Sequence, residues 1–196
     1  MVIFEQTLDW SPHVDEVVMK ISRSIVCIRR IKSCLTRKIM NQLYFSFILP
    51  HIDYCCAVWG SLTKTNLNRL QRCQNKYARV VLNGGYYMSA QALTHALKWQ
   101  SVEQRIQYHY CVLVYKLLHN LAPTYIAKLV TKRPTTYTTR YALSCQLHIP
   151  KPRTEYKKCS FTYAASKLFN ELPIFIQTAS SLQTFKNRVR QHQSLI

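Results

Sequence analysis

"NRLQRCQNKYARVVLNGG", residues Asn68–Gly85, decides the reading of this chain. Arg69, Arg72, Lys76 and Arg79 recur at steps of three, four and three, which returns them to one side of an α-helix. Leu70, Cys73, Tyr77 and Val81 fall on the opposite side. The spacing predicts an amphipathic helix from about Asn66 to Leu82, with Thr65 as its cap and Gly84 as its stop. One face suits a core; the other presents a basic stripe to a polyanion.

The whole chain shares that bias. Its 196 residues hold 27 Lys and Arg against 8 Asp and Glu, a net charge of +19, while 48% hydrophobic residues are enough for a real core. So large an imbalance points to nucleic acid first and an anionic membrane second, since an ordinary soluble surface mixes the two signs. With three glycines, Gly60, Gly84 and Gly85, the chain has no phosphate-cradling glycine loop. Low glycine with many Leu, Ile, Gln and Arg favours helices.

No basic-then-apolar leader opens the sequence, because Glu5 and Asp9 interrupt "MVIFEQTLDW". An intracellular protein of cytoplasm or nucleus, not a secreted one, is expected. The most apolar stretch, Leu43–Gly60, carries Pro50, His51 and Asp53 in mid-run. Hydrocarbon would tolerate those worst, so the stretch reads as a buried segment and no membrane partner is expected. Eight cysteines occur, the nearest thing to a metal set being His51 with Cys55 and Cys56. No second ligand pair stands at a zinc-like distance, so reduced, buried thiols are expected, with no metal and no cofactor.

Along the chain, Ser11-Pro12 reads as the start of a helix carrying Val14, Val18, Ile21, Ile25 and Ile28 inward to about Ser33. Asp15 and Glu16 near its start suit the helix dipole. Thr36 opens a second helix to about Phe47, ended by Pro50, and Ile52–Trp59 is a buried helix or an extended piece. Ser89–Leu97 is a short helix. Ser101 and Gln104 form a capping-box pattern before a helix with Val102, Ile106, Tyr110, Leu113 and Leu117 on a wide apolar face.

Residues 132–158 change texture, with three prolines, many Thr and Tyr, and a basic excess. They read as an extended or partly disordered basic loop with a short strand near Ala142–Ile149. Its aromatics suit either stacking on unpaired bases or packing on a helical body. Helices resume at Ser160–Asn170, closed by Leu172-Pro173, and after Ser180 or Ser181, with Leu182, Phe185 and Val189 inward and Lys186, Arg188 and Arg190 outward. The expected fold is mainly α, a helical bundle with one extended basic loop.

In order along the chain, "VIFEQTLDWSPHVDEVVMKISRSI" (Val2–Ile25), "LTRKIMNQLYFSFILPHIDYCCAVWG" (Leu35–Gly60) and "LNRLQRCQNKYARVV" (Leu67–Val81) resemble the region after the palm of reverse transcriptases from non-long-terminal-repeat, LINE-type retrotransposons. The likeness is to the jockey-like and chicken-repeat-like elements. "TTRYALSCQLHIPKPRTEYKKCSFTYAASKLFNELP" (Thr138–Pro173) and "SSLQTFKNRVRQH" (Ser180–His192) resemble the tail of the same polyproteins, with Phe169-Asn170 where the family more often has Trp-Asn.

The resemblance implies a thumb-like region over residues 1–85, a helical continuation over 86–131, the basic loop 132–158 and C-terminal helices over 159–196. It implies a parent RNA-directed DNA polymerase whose carboxylates lie upstream. Polymerisation uses two metal ions held by palm carboxylates, and the family signal is an Asp-Asp pair. The only aspartates here are Asp9, Asp15 and Asp53, none adjacent, and Asp53 reads as a hydrogen-bond partner. The chain is therefore expected not to be an enzyme and to take no small-molecule substrate.

Its expected partner is RNA or DNA, as a primer–template duplex, with a reverse-transcriptase palm as a protein partner. The residues expected to meet phosphates are Arg69, Arg72, Lys76 and Arg79; a second cluster at Arg29, Arg30, Lys32, Arg37 and Lys38; and the loop cations Lys132, Arg133, Arg140, Lys151, Arg153, Lys157 and Lys158. Phosphate contact fixes register without reading bases. The alternatives are a protein-interaction domain that packs against the palm, and a decayed element fragment with no selected function.

Overall fold

The computed structural model describes residues 2–6, 9–84, 88–133 and 146–195. Helices dominate it, and the described residues hold no strand beyond an isolated bridge between Lys132 and Leu147. The mainly α expectation therefore holds. Two compact units, Met1–Arg105 and Ile106–Ile196, divide the chain.

In the first unit, α1 (Ser11–Ile31) buries Val14, Val17, Ile21, Ile25 and Ile28. Val17 replaces the expected Val18 on the inner face. Ser11 is not the cap; as the first helical residue its hydroxyl donates to the Asp9 carboxylate and accepts from Asn66 Nδ2 at 3.0 Å. Asp15 and Glu16 sit beyond the first turn and form ion pairs instead of serving the dipole.

A 3₁₀ turn, Lys32–Cys34, leads to α2 (Arg37–Leu43), capped as expected by Thr36, whose hydroxyl accepts from the Ile39 amide. Pro50 does not end the helical path. A π-turn over Tyr44–Ile48, with the Leu49 amide reaching back five residues to the Tyr44 carbonyl, passes into α3 (Leu49–Asp53). Proline lacks an N–H and crowds the carbonyl four residues back, and the one wide turn beside it reshapes the ladder. Tyr54 is then extended, Cys55 is left-handed at φ 52°, and α4 (Cys56–Trp59) follows.

The apolar run Leu43–Gly60 is consequently two-sided. Tyr44, Ile48, Leu49, Ile52, Cys56 and Trp59 are buried, but Phe45, Phe47, Tyr54 and Val58 are each more than half exposed. The expectation of a wholly buried segment is corrected on those four residues.

The helix predicted from the opening quotation is α5 (Lys64–Leu82), packed on α1. Thr63, not Thr65, caps it, accepting from the Asn66 amide; such a cap contributes about 1 kcal/mol. At the other end Asn83, not Gly84, adopts the left-handed conformation at φ 52°. A Cβ at Gly84 would meet Met88 Sδ at 2.5 Å, a contact that a shift of the flexible methionine side chain relieves. Then come α6 (Ala90–Leu97), capped by Ser89, and α7 (Val102–Leu118), opened by the predicted capping box: the Gln104 amide donates to Ser101 Oγ and the Ser101 amide to Gln104 Oε1. Tyr44 stacks on Trp99 with ring centroids 3.7 Å apart, and Tyr77, its hydroxyl on the Met40 carbonyl, lies beyond at 6.1 Å from both rings.

In the second unit, the length of α7 from Ile106 is buried on most sides, at Tyr108, Tyr110, Cys111, Val112, Val114, Tyr115 and Leu117, while Leu113 of the predicted face is only partly so. After α8 (Thr124–Ala127), α9 (Glu155–Lys158), α10 (Phe161–Glu171), α11 (Ile174–Gln177) and α12 (Leu182–Leu195) complete the unit. The helix α9 lies inside the segment that the sequence suggested was an extended or partly disordered loop, started by the Thr154 cap. Of the strand expected at Ala142–Ile149, residues 142–145 lie outside the described residues, and the rest forms the single bridge at Leu147. Tyr115 stacks on Phe185 at 4.4 Å and donates to the Ala179 carbonyl at 2.8 Å; Ser181 is the serine that caps α12.

The Phe169-Asn170 pair has a structural role. Phe169 is fully buried. Asn170 accepts from the Leu147 amide at 2.9 Å and donates to the Leu147 carbonyl at 3.0 Å, acting as a side-chain substitute for a neighbouring strand. Asn170→Ala removes both bonds, and net costs near 1 kcal/mol per bond give an expected loss of about 2 kcal/mol. Chemical denaturation should show it, and hydrogen exchange should speed up at the Leu147 amide first.

Candidate nucleic-acid interface

On α5 the two predicted faces separate as the periodicity requires. Leu70, Cys73, Tyr77 and Val81 are buried, and Arg72 and Lys76 are exposed. The ends of the basic stripe are different. Arg69 pairs with the Asp15 carboxylate of α1 and donates to Asn66 Oδ1 at 3.3 Å. Arg79 is half-buried and donates to the Met88 carbonyl at 3.3 Å. The stripe thus has two outward cations at its centre and two anchored ones at its ends.

The buried arc of α5 also takes in Asn66, Gln74 and Asn75, polar residues that the apolar pattern did not mark. Gln71 Nε2 donates to Gln74 Oε1 and Asn75 Oδ1, and Gln71 Oε1 accepts from the Val102 amide. Gln74 Nε2 donates to the Tyr44 hydroxyl at 2.9 Å and the Gln100 carbonyl at 2.7 Å. This network fixes the rotation of α5 about its own axis, and with it the direction of Arg72 and Lys76. Its sequence signal is the Gln71, Gln74, Asn75 cluster at one-turn spacing.

The second predicted cluster is brought together in part. Arg29, Lys32 and Arg37 line one groove of about 600 Å³ that the end of α5 closes. Arg30 and Lys38 are exposed outside that lining, Arg30 instead flanking a shallow apolar depression on α1 with Met19 and Val26. Lys132, Arg133, Lys151, Arg153, Lys157 and Lys158 are all exposed, with Lys158 tied to Glu155; Arg140 lies outside the described residues. In the second unit Arg190 lies 5.1 Å from the Tyr108 ring centroid, a cation–aromatic contact the sequence did not announce.

The acids and thiols have their own partners. Asp9 accepts from Ser11, Asp15 from Arg69, and Asp53 from Arg105 through two bonds of 2.8 and 2.6 Å. Burial pushes the Cys56 and Cys111 thiols up to about 12, far from a ready thiolate. The seven described cysteines are free, and Cys27, Cys34, Cys55 and Cys159 are exposed, correcting the expectation of buried thiols at those four. Among the described residues no three His, Cys, Asp or Glu side chains come together as a metal cluster, and no helix is long and apolar enough to cross a membrane.

Over 111 residues, 55% of its length, the chain is 25% identical to a probable RNA-directed DNA polymerase from transposon BS of Drosophila melanogaster. The chain resembles part of a retrotransposon polymerase. A second polymerase of the same organism, from the transposon X-element, is 25% identical over 113 residues. The match covers 12% of the length of each of these relatives. No family model matches the chain, and no solved structure matches it. The retrotransposon resemblance given by the motif order is thus supported by relatives of that type.

Proposed function

We propose that this chain is a non-catalytic nucleic-acid-binding segment of a retrotransposon RNA-directed DNA polymerase, holding primer–template or element RNA by its phosphates without reading sequence. One observation carries the proposal: residues 17–102 contain thirteen Lys and Arg but a single acid, Asp53, and that acid is already bound to Arg105. Of the acids near the stripe, Asp15 is taken up by Arg69 and Glu16 by Lys20, so the exposed Arg72 and Lys76 are left as its outward charge. Neutralised phosphates release counterions, which drives such binding and makes it salt-dependent. The lack of an Asp-Asp pair, and the protein partners of all three aspartates, support the non-catalytic part.

Fluorescence anisotropy of the whole chain with an RNA–DNA primer–template, titrated across salt, is the test. Reversing both charges, Arg72→Glu with Lys76→Glu, is expected to reduce the slope of log affinity against log salt by about 1.8, two phosphates at about 0.9 each. A slope unchanged by the double reversal, in a chain that stays folded, would overturn the proposal.

A second reading rests on the exposed side of the Leu43–Gly60 segment. Phe45, Phe47, Tyr54 and Val58 are 51–55% exposed. Exposed apolar groups of this kind favour an interaction domain facing the polymerase palm. That reading is expected to show as self-association in sedimentation at salt concentrations where primer–template no longer binds.

A further inference from the structure

The groove between the end of α1, the start of α2 and the end of α5 combines features that a plain solvated basic patch lacks. Its cations come from three places in the chain: Arg29 in the last turn of α1, Lys32 in the 3₁₀ turn and Arg37 at the start of α2. Leu35, Met40 and Val81 supply apolar wall, and the Ser33 and Asn83 side chains add polar groups at the lining. Its volume of about 600 Å³ falls within the range of about 300–1,000 Å³ usual for small-ligand sites.

Helix dipoles alone do not account for so much positive charge. Arg29 complements the C-terminal end of α1, Arg37 donates to the Ala96 carbonyl near the end of α6, and the end of α5 lies in the lining. The C-terminal ends of α1 and α5, at about −0.5 each, offset only part of three full positive charges, and the N-terminal end of α2 adds to them, so the groove keeps a clear positive excess. The chain from residue 17 to residue 52 contains no acid to remove that excess. The charge matches one phosphate, and the apolar wall matches the sugar or base attached to it.

We infer that this groove seats a single nucleotide, its phosphate held by Arg29, Lys32 and Arg37 and its sugar and base against Leu35, Met40 and Val81. The inference rests on the reading of the chain as a nucleic-acid binder, but adds a discrete pocket to what is otherwise a diffuse charged surface. It is a pocket for one strand: the residue seated there is a chain end or an unpaired nucleotide, because a base within a duplex has no free face to lay on the wall.

The test uses the full chain and amine-selective labelling read by mass spectrometry at Lys32, with Lys64, at the other end of α5, as the internal control. Deoxyadenosine 5′-monophosphate at ten times its dissociation constant is expected to slow labelling of Lys32 about tenfold and leave Lys64 unchanged. Deoxyadenosine without phosphate is expected to give no protection, and inorganic phosphate distinctly less at equal concentration. Arg37→Gln, checked for folding by circular dichroism, is expected to abolish the protection.

No protection by the nucleotide overturns the inference. Equal protection by inorganic phosphate overturns the nucleotide and leaves a bare anion seat. Primer–template binding that responds to Arg72 and Lys76 while Lys32 stays unprotected sinks the groove alone. Protection of Lys32 in a chain that binds no primer–template supports the groove, and sinks the broader proposal instead.

Discussion

Arg105→Ala is expected to cost the first unit about 3 kcal/mol, the low end of the range for breaking a buried ion pair. The guanidinium holds both oxygens of Asp53 at 2.8 and 2.6 Å, and each side chain is about one-fifth exposed. Removing the arginine takes away the cation that meets both oxygens of a carboxylate only about one-fifth exposed. The cost belongs to the desolvation of the charge that remains more than to the bond, so a volume-matched apolar pair should behave differently. Asp53→Leu with Arg105→Met is expected to recover most of the loss, because neither partner then needs water. Urea denaturation of the two variants decides it: equal destabilisation would mean that the pair stabilises the fold on its own account.

Gln74→Leu should be comparably damaging, at about 3 kcal/mol by the same measurement. Its amide is buried, donating to the Tyr44 hydroxyl and the Gln100 carbonyl while accepting from Gln71. Leucine fills similar space but removes the donor from which both the Tyr44 hydroxyl and the Gln100 carbonyl accept, and a hydrogen bond taken from a buried group costs about 1–3 kcal/mol. Adding Tyr44→Phe removes one of the dangling groups. The double variant is expected to lose less than the sum of the two single ones, as residues sharing one network do. Strict additivity would show that the bonds at Gln74 are independent.

These two sites also mark where the sequence stopped being readable. Periodicity placed α5 and sorted its faces, and the Ser101–Gln104 box opened α7, because both depend on residues within a turn or two of each other. Thr63 and Thr65 are equally good caps by residue type; which one caps is decided by Asn66 turning inward to Ser11. The pairing of Arg69 with Asp15, and of Arg105 with Asp53, joins residues more than fifty positions apart. Nothing local marks Arg69 as anchored and Arg72 as outward, since both fit the stripe.

The groove follows the same rule. Arg29, Lys32 and Arg37 were visible as a basic cluster, but the wall at Val81 that makes a cavity of it comes from the far end of α5. Pro50 misled for a different reason. A proline forbids one hydrogen bond, not a change of helical type, and the sequence carries no sign that a wide turn will absorb it.

That wide turn makes the spacing of the chain matter more than its composition. Between Met40 and Trp59 the inward residues lie on both sides of Tyr44–Ile48, and they share one core only because the turn holds an additional residue. Losing one codon there would rotate everything downstream by about 100° relative to α2. Phe45 and Phe47 tolerate exchange for other side chains far more readily than Ser46 tolerates deletion. Among relatives of this chain, substitutions should accumulate across this segment while its length is kept.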